Sequence, residues 1–379
     1  MIAKHTLAAL ATLTLCGTAA AQANDSWRLG AVLDAAYTTR ALELGGRDKG
    51  LQLGHSDLTA SGPLGRWARA QFTLVLATHE GKLERELEEA WVDSTALPAG
   101  LQLRAGRFAS QIGYLNQQHP HADDFVERPL LYRGLFGGHW SDDGLRLNWT
   151  APTPFYLMLG VEALRGKRLV EETAAAAPRV GASTWVIKAG DDIGRSHSWQ
   201  LGLSYIHNRR EAALEDHGAE PLLEAAAEHA HEHAHGAQFS GRKTWLVDAT
   251  WKWAPGGNNR EQQLRLNVEA ARTTGLNRYA TSQDQHQAES VSLVWRFQSE
   301  WELGARTDWL RASMPHGDHF HGARLREHAL MLAWKPSHMQ TVRLQYSTQR
   351  GAVEFENPAK RSLQLQYILA FGAHGSHAF

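Results

Sequence analysis

Sulfur chemistry is almost missing from this chain. Cys16 is its only cysteine, and it falls in the apolar core of a secretory leader. Lys4 supplies the positive start, Thr6 to Cys16 the apolar run, and Ala19-Ala20-Ala21 or Ala21-Gln22-Ala23 the small-residue cleavage site. The expected signal peptide is residues 1–23, with the mature chain starting near Gln22 or Asn24. Leu15 is too bulky for a good lipobox, so Cys16 reads as an ordinary leader residue rather than a lipid anchor. A mature chain without a thiol excludes disulfides, cysteine nucleophiles and thiolate metal sites.

An excess of charge of one sign is also lacking. The formal net charge is −1, which offers no electrostatic reason to expect nucleic acid as a partner. Beyond the leader no apolar run approaches the roughly 18 residues that a helical membrane span needs. Catalytic signatures are missing as well. There is no nucleophile elbow and no His-Glu-x-x-His, since His231-Glu232-His233 has the wrong spacing. An outer-membrane hydrolase is thus the weakest of the functional readings.

What the chain does contain is alternation. From Ser362 to Phe371, Leu363, Leu365, Tyr367, Leu369 and Phe371 share one parity, while Ser362, Gln364 and Gln366 hold the other. The same period of two sets Trp245, Val247, Trp251 and Trp253 against Asp248, Thr250 and Lys252. It also sets Leu303, Ala305 and Trp309 against Glu302, Arg306 and Asp308. A strand with one apolar face and one charged face suits a barrel whose outside meets lipid and whose inside meets water. Comparable segments number about sixteen, near residues 27–38, 50–60, 66–78, 85–93, 101–109, 143–150, 155–165, 182–190, 196–208, 243–254, 261–273, 288–297, 300–311, 324–335, 339–349 and 361–373. The fold class is therefore all-β, a transmembrane antiparallel up-and-down barrel occupying residues 24–379.

The connections orient that barrel. Those after strands 5, 7, 9, 11 and 13 read as long, and those after strands 6, 8, 10, 12 and 14 as tight turns such as Ala151-Pro152-Thr153-Pro154. Long outer loops and short periplasmic turns produce this asymmetry. Trp199, Trp245, Trp253, Trp295, Trp301, Trp309 and Trp334 fall near strand ends, where aromatic girdles meet the membrane interfaces. With Phe379 last, and Phe371, Leu369 and Tyr367 of its parity, the chain resembles Gram-negative outer-membrane barrels, whose C-terminal aromatic is read by the barrel assembly machinery. In size it resembles the sixteen-stranded porins. That resemblance implies an outer-membrane location surrounded by lipid, passive diffusion of small solutes or ions, and a homotrimer. The first strand begins near Trp27, which leaves no room for the plug of TonB-dependent receptors.

In such porins the third outer loop folds into the pore. Here that loop is Ser110 to Asp142, and its His119, His121, Asp123, Asp124, Arg128 and Arg133 are the expected constriction residues, with an ordinary surface loop as the alternative. The 21 histidines are unevenly spread. His229, His231, His233 and His235 alternate in the loop after strand 9, His316, His319 and His321 cluster after strand 13, and His374 and His377 lie near the end. Imidazole and carboxylate without thiolate suit Zn²⁺, Cu²⁺ or Ni²⁺. No cofactor is required, and the expected ligand of these loops is Zn²⁺ or a similar divalent metal. The resulting expectation is a porin-like channel whose His-rich outer loops, similar to those of proteins linked to zinc homeostasis, aid metal uptake. A non-conducting, metal-binding surface barrel is the alternative.

Overall fold

The computed structural model describes residues 26–170, 179–210, 236–316, 318–352 and 359–372. The expected leader, the His229 to His235 tract, and His374, His377 and Phe379 lie outside the described residues.

Sixteen antiparallel strands close into one barrel. They are β1 (Arg28–Thr38), β2 in two pieces (Gly50–Leu53 and Ser56–Leu64), β3 (Ala68–His79), β4 (Lys82–Ser94), β5 (Leu101–Ala109), β6 (Ser141–Thr150), β7 (Tyr156–Leu164) and β8 (Ala182–Ile193). The second half comprises β9 (His197–Asn208), β10 (Lys243–Trp253), β11 (Gln263–Thr274), β12 (Gln285–Gln298), β13 (Trp301–His316), β14 (His319–Ser337), β15 (Gln340–Ala352) and β16 (Ala359–Gly372). β16 returns to pair with β1, Val32 opposite Ala370 and Ala35 opposite Tyr367. Closure leaves no unpaired edge, which a hydrocarbon environment would penalise.

Each of the sixteen expected segments is a strand, and the alternation sorts as its chemistry requires. On β10, Trp245 and Val247 are about half exposed on the outer wall, whereas Asp248 and Thr250 are buried inside. On β13, Leu303 faces out while Glu302, Arg306 and Asp308 are buried. Aromatic neighbours border the belt at both ends: Trp245 lies 4.6 Å from Tyr205 and Trp301 6.2 Å from Trp334, centroid to centroid.

One expected long loop is absent. β13 and β14 continue well past residues 311 and 324, pairing until His316 meets His319. The connection is therefore a hairpin tip, and His319 and His321 sit on a strand rather than in a flexible loop. The alternation simply runs on: Ala312, Ala323 and Leu325 are buried on the inner side, so the backbone stays paired beyond the roughly 9–11 residues a tilted strand needs to cross a bilayer. A second short outer turn, Glu80-Gly81 between β3 and β4, has positive φ at both residues, 50° and 75°, the conformation of a two-residue type I′ hairpin.

Candidate functional site

The third outer loop, residues 110–140, enters the barrel. A short helix, α1 (Leu130–Phe136), is buried along its whole length. Its side chains join Phe108, Ile112 and Trp140 in an apolar cluster with Ile206 of β9, Leu246 of β10, Leu310 of β13 and Leu325 of β14. These wall residues face inward, so part of the lumen wall is apolar. Their signal was present in the sequence as breaks in alternation, such as Trp245-Leu246-Val247. Where both parities are apolar, the inner face has something dry to meet.

Polar ties then fix the loop to opposite walls. Glu269 of β11 accepts the Tyr114 backbone N–H at 3.1 Å and the Tyr132 hydroxyl. Lys188 of β8 donates to the Gly113 carbonyl at 2.7 Å. Across the barrel, Gln345 of β15 accepts the Val126 N–H at 2.8 Å, and Arg343 donates to the Asp123 carbonyl at 2.6 Å.

The six expected constriction residues divide into two sets. Four of them anchor the loop. Asp123 pairs with Arg128 at 2.7 Å, Asp124 with Arg265 of β11, and Arg133 with Glu327 of β14. Asp123, Arg128 and Arg133 are largely buried in these pairs, and all three also line a cavity on the β2–β4 side. His119 and His121 go elsewhere, to the wall formed by β2, β3 and β4.

α1 packs toward β9–β14, and the cavity lies on the opposite, β2–β4 side. It has a volume of about 640 Å³ and runs from His79 and Glu84, at the outer ends of β3 and β4, down to His55, Glu88, Arg128 and His139. Two irregularities of the sheet shape its floor. In β4, Thr73 pairs with Glu89 but Leu74 pairs with Leu87, leaving Glu88 as an extra residue. The parity of the strand switches there, so Glu88 and Glu89 are both buried on the inside although they are adjacent in sequence. In β2 the pairing to β1 slips between Leu53 and Asp57, and Gly54 and His55 interrupt the strand. Such bulges re-aim side chains, and here they turn His55, Asp57, Glu88 and Glu89 toward the incoming loop.

The result is a compact cluster of four imidazoles and three carboxylates. His55 Nε2 lies 3.3 Å from Asp57 Oδ1 and 3.1 Å from Glu88 Oε2. His119 Nδ1 lies 3.3 Å from Asp57 Oδ2 and 2.9 Å from Glu88 Oε2, while its Nε2 is 3.3 Å from Glu89 Oε2. His121 Nδ1 is 3.2 Å from Asp57 Oδ2. His139 Nδ1 donates to Glu88 Oε1 at 2.6 Å. Among the described residues, the ion pairs of these three carboxylates are all with histidines. Burial disfavours a charged imidazole at His119, yet the carboxylates of Glu88, Glu89 and Asp57 outweigh that effect and hold its pKa well above the ordinary histidine value.

Of these residues, only His119 and His121 stood out in the sequence as candidates. His55, Asp57, Glu88, Glu89 and His139 carry no local motif; the one available sign was the switch of parity between Leu87 and Val92. On the hairpin tip, His319 and His321 have ring centroids 5.2 Å apart, and His319 Nδ1 lies 3.1 Å from Asp318.

No known family model matches this chain. An uncharacterized protein of Aquifex aeolicus is 28% identical over 324 residues, 77% of this chain, and the match spans 63% of that relative's length. Solved structures give a clearer likeness. OprB of Pseudomonas putida superposes with a TM-score of 0.55 at 15% identity, covering 91% of this chain and 94% of its own. The anion-selective porin of Comamonas acidovorans gives 0.55 at 10% identity, covering 92% and 99%. The outer membrane channel DcaP of Acinetobacter baumannii gives 0.53 at 11% identity, covering 91% and 96%. The fold is that of the outer-membrane porins. With its lipid-facing belt and closed sheet, this barrel fits the Gram-negative outer membrane.

Proposed function

We propose that the protein is a passive diffusion channel for small solutes or ions, with its narrowest point between the third loop and the β2–β4 wall. The observation that carries this reading is the cavity of about 640 Å³ that descends from the outer rim to the loop along the β2–β4 side. Walls bearing both signs of charge, among them Arg47, Glu84, Arg85, Glu86 and Arg133, suit a polar solute or a hydrated ion better than an apolar one. We extend the reading to divalent cations, zinc among them. Its support is the histidine and carboxylate chemistry at the floor and the imidazole pair on the hairpin tip above.

Planar-bilayer recording of the purified protein tests the channel. We expect stepwise ohmic currents of small size, and a several-fold larger step when residues 115–128 are replaced by a short glycine-serine linker. Folded protein that gives no steps in either form overturns the channel.

A second reading has an observation of its own. The loop is braced against β7, β8 and β11 on one side and β14 and β15 on the other, and such bracing also suits a closed barrel that presents metal-binding groups at the surface. In that case the wild type is silent and the loop-replaced form conducts.

A further inference from the structure

We propose that His55, Asp57, His119 and Glu88 form a binding site for one divalent transition-metal ion inside the barrel, with Zn²⁺ the best match. The site bridges the third loop to the wall. It shares no residue with the His229 to His235 tract or the hairpin tip, and it does not depend on whether the barrel conducts.

Separation of the donor atoms is the first argument. One ligand atom from each of His55, Asp57 and His119 lies within 4.8 Å of the other two. Donors bound at about 2.0–2.1 Å in a tetrahedron stand roughly 3.3 Å from one another. His55 Nε2 lies 3.3 Å from Asp57 Oδ1, His119 Nδ1 lies 3.3 Å from Asp57 Oδ2, and Glu88 Oε2 lies 3.1 Å from His55 Nε2 and 2.9 Å from His119 Nδ1. Each of these pairs is close to the separation of neighbouring donors around one ion, with His55, Asp57 and His119 as the core of the set and Glu88 beside both imidazoles.

Alignment is the second. His119 Nδ1 and Asp57 Oδ1 are buried, yet neither makes a hydrogen bond of acceptable geometry despite these close neighbours. Buried polar atoms normally find a partner, and each failure asks for a reason. Atoms aimed at a shared cation rather than at one another supply it.

Outer partners complete the case. His119 would bind through Nδ1, which leaves its Nε2–H directed at Glu89 Oε2, 3.3 Å away. Glu88 would bind through Oε2 while its Oε1 accepts from His139 Nδ1 at 2.6 Å. His139 is held in turn by the Asn116 carbonyl, 2.9 Å from its Nε2. Carboxylates and carbonyls that orient metal-binding groups in this way are characteristic of metal centres. His121 Nδ1, 3.2 Å from Asp57 Oδ2 and also without an aligned hydrogen bond, stands beside the set as a fifth donor. Nitrogen and carboxylate oxygen without sulfur favour Zn²⁺, Cu²⁺ or Ni²⁺ over Mg²⁺ and Ca²⁺.

The test is a Zn²⁺ titration of the full-length folded barrel, prepared without a polyhistidine tag and stripped with chelator, followed by calorimetry. One tight site per chain is expected in the wild type. It should persist when residues 229–235 are deleted and in His319→Ala/His321→Ala. It should vanish in His55→Ala/His119→Ala, with affinity falling by more than the about 10–100-fold that outer-partner substitutions cost. Asp57→Asn, nearly isosteric, provides a second variant should the double substitution disturb folding, which heat-modifiable migration on gels reports. Co²⁺ in place of Zn²⁺ should give visible d–d absorption of a nitrogen and oxygen site in the wild type and lose it in Asp57→Asn. A wild type without a tight site, a folded Asp57→Asn that binds as the wild type does, or loss of the site on deleting 229–235 alone would each overturn the proposal.

Discussion

Three donors converge on the Glu327 carboxylate: Arg306 at 2.6 Å, Gln349 at 2.7 Å and Arg133 of the third loop. All three side chains and the carboxylate are buried. Removing the acceptor leaves two guanidiniums inside the barrel with one of their main partners gone, although Arg306 keeps Asp308 at 2.8 Å. Glu327→Ala should therefore cost about 3–5 kcal/mol, the range for breaking a buried ion pair from one side. A lowered urea midpoint in detergent measures that loss, and an unchanged midpoint shows that the network contributes nothing. None of this could be read from the chain alone. Arg133 stood out in the third loop, but its partner Glu327 lies 194 residues further along the chain.

Strand alternation is local, which is why the sixteen strands and their lipid faces were evident from the chain. Bulges are not evident in that way, because an inserted residue looks like noise in a short periodic pattern. In β4 the noise is Glu88. Deleting Glu88 should restore continuous pairing of Thr73 with Glu89 and Leu74 with Leu87, so the barrel should still assemble while zinc affinity falls. By contrast, deletion of Leu145 from the regular β6 sends the rest of that strand to the wrong face, and assembly should fail. Heat-modifiable migration separates the two variants. Equal behaviour would mean that Glu88 is not an inserted residue that β4 can lose with its pairing intact. The hairpin of β13 and β14 carries the opposite lesson: alternation continued past the bilayer, and a loop was expected where pairing in fact persisted.

For the molecule as a whole, the belt and the lumen obey different rules. Val247 lies midway along β10 and is half exposed to lipid, next to the buried Asp248. Val247→Arg should destabilise the barrel in lipid vesicles by about 2–4 kcal/mol, the cost of a cation on the lipid face near the bilayer midplane. Denaturant unfolding in thin and thick bilayers checks both the size and the depth dependence. A neutral result would place this face away from hydrocarbon.

By itself the chain determined strand number, closure and which parity meets lipid, because a period of two is enforced residue by residue through the transfer of apolar side chains out of water. It also singled out the third loop, and His119 and His121 within it. Only the tertiary structure decided which way that loop leans and what its histidines meet. Those outcomes depend on an apolar cluster formed between α1 and distant strands, and on two bulges that aim His55, Asp57, Glu88 and Glu89 at one point. Contacts between groups far apart in the chain arise when the barrel closes around the loop, and no local pattern encodes them.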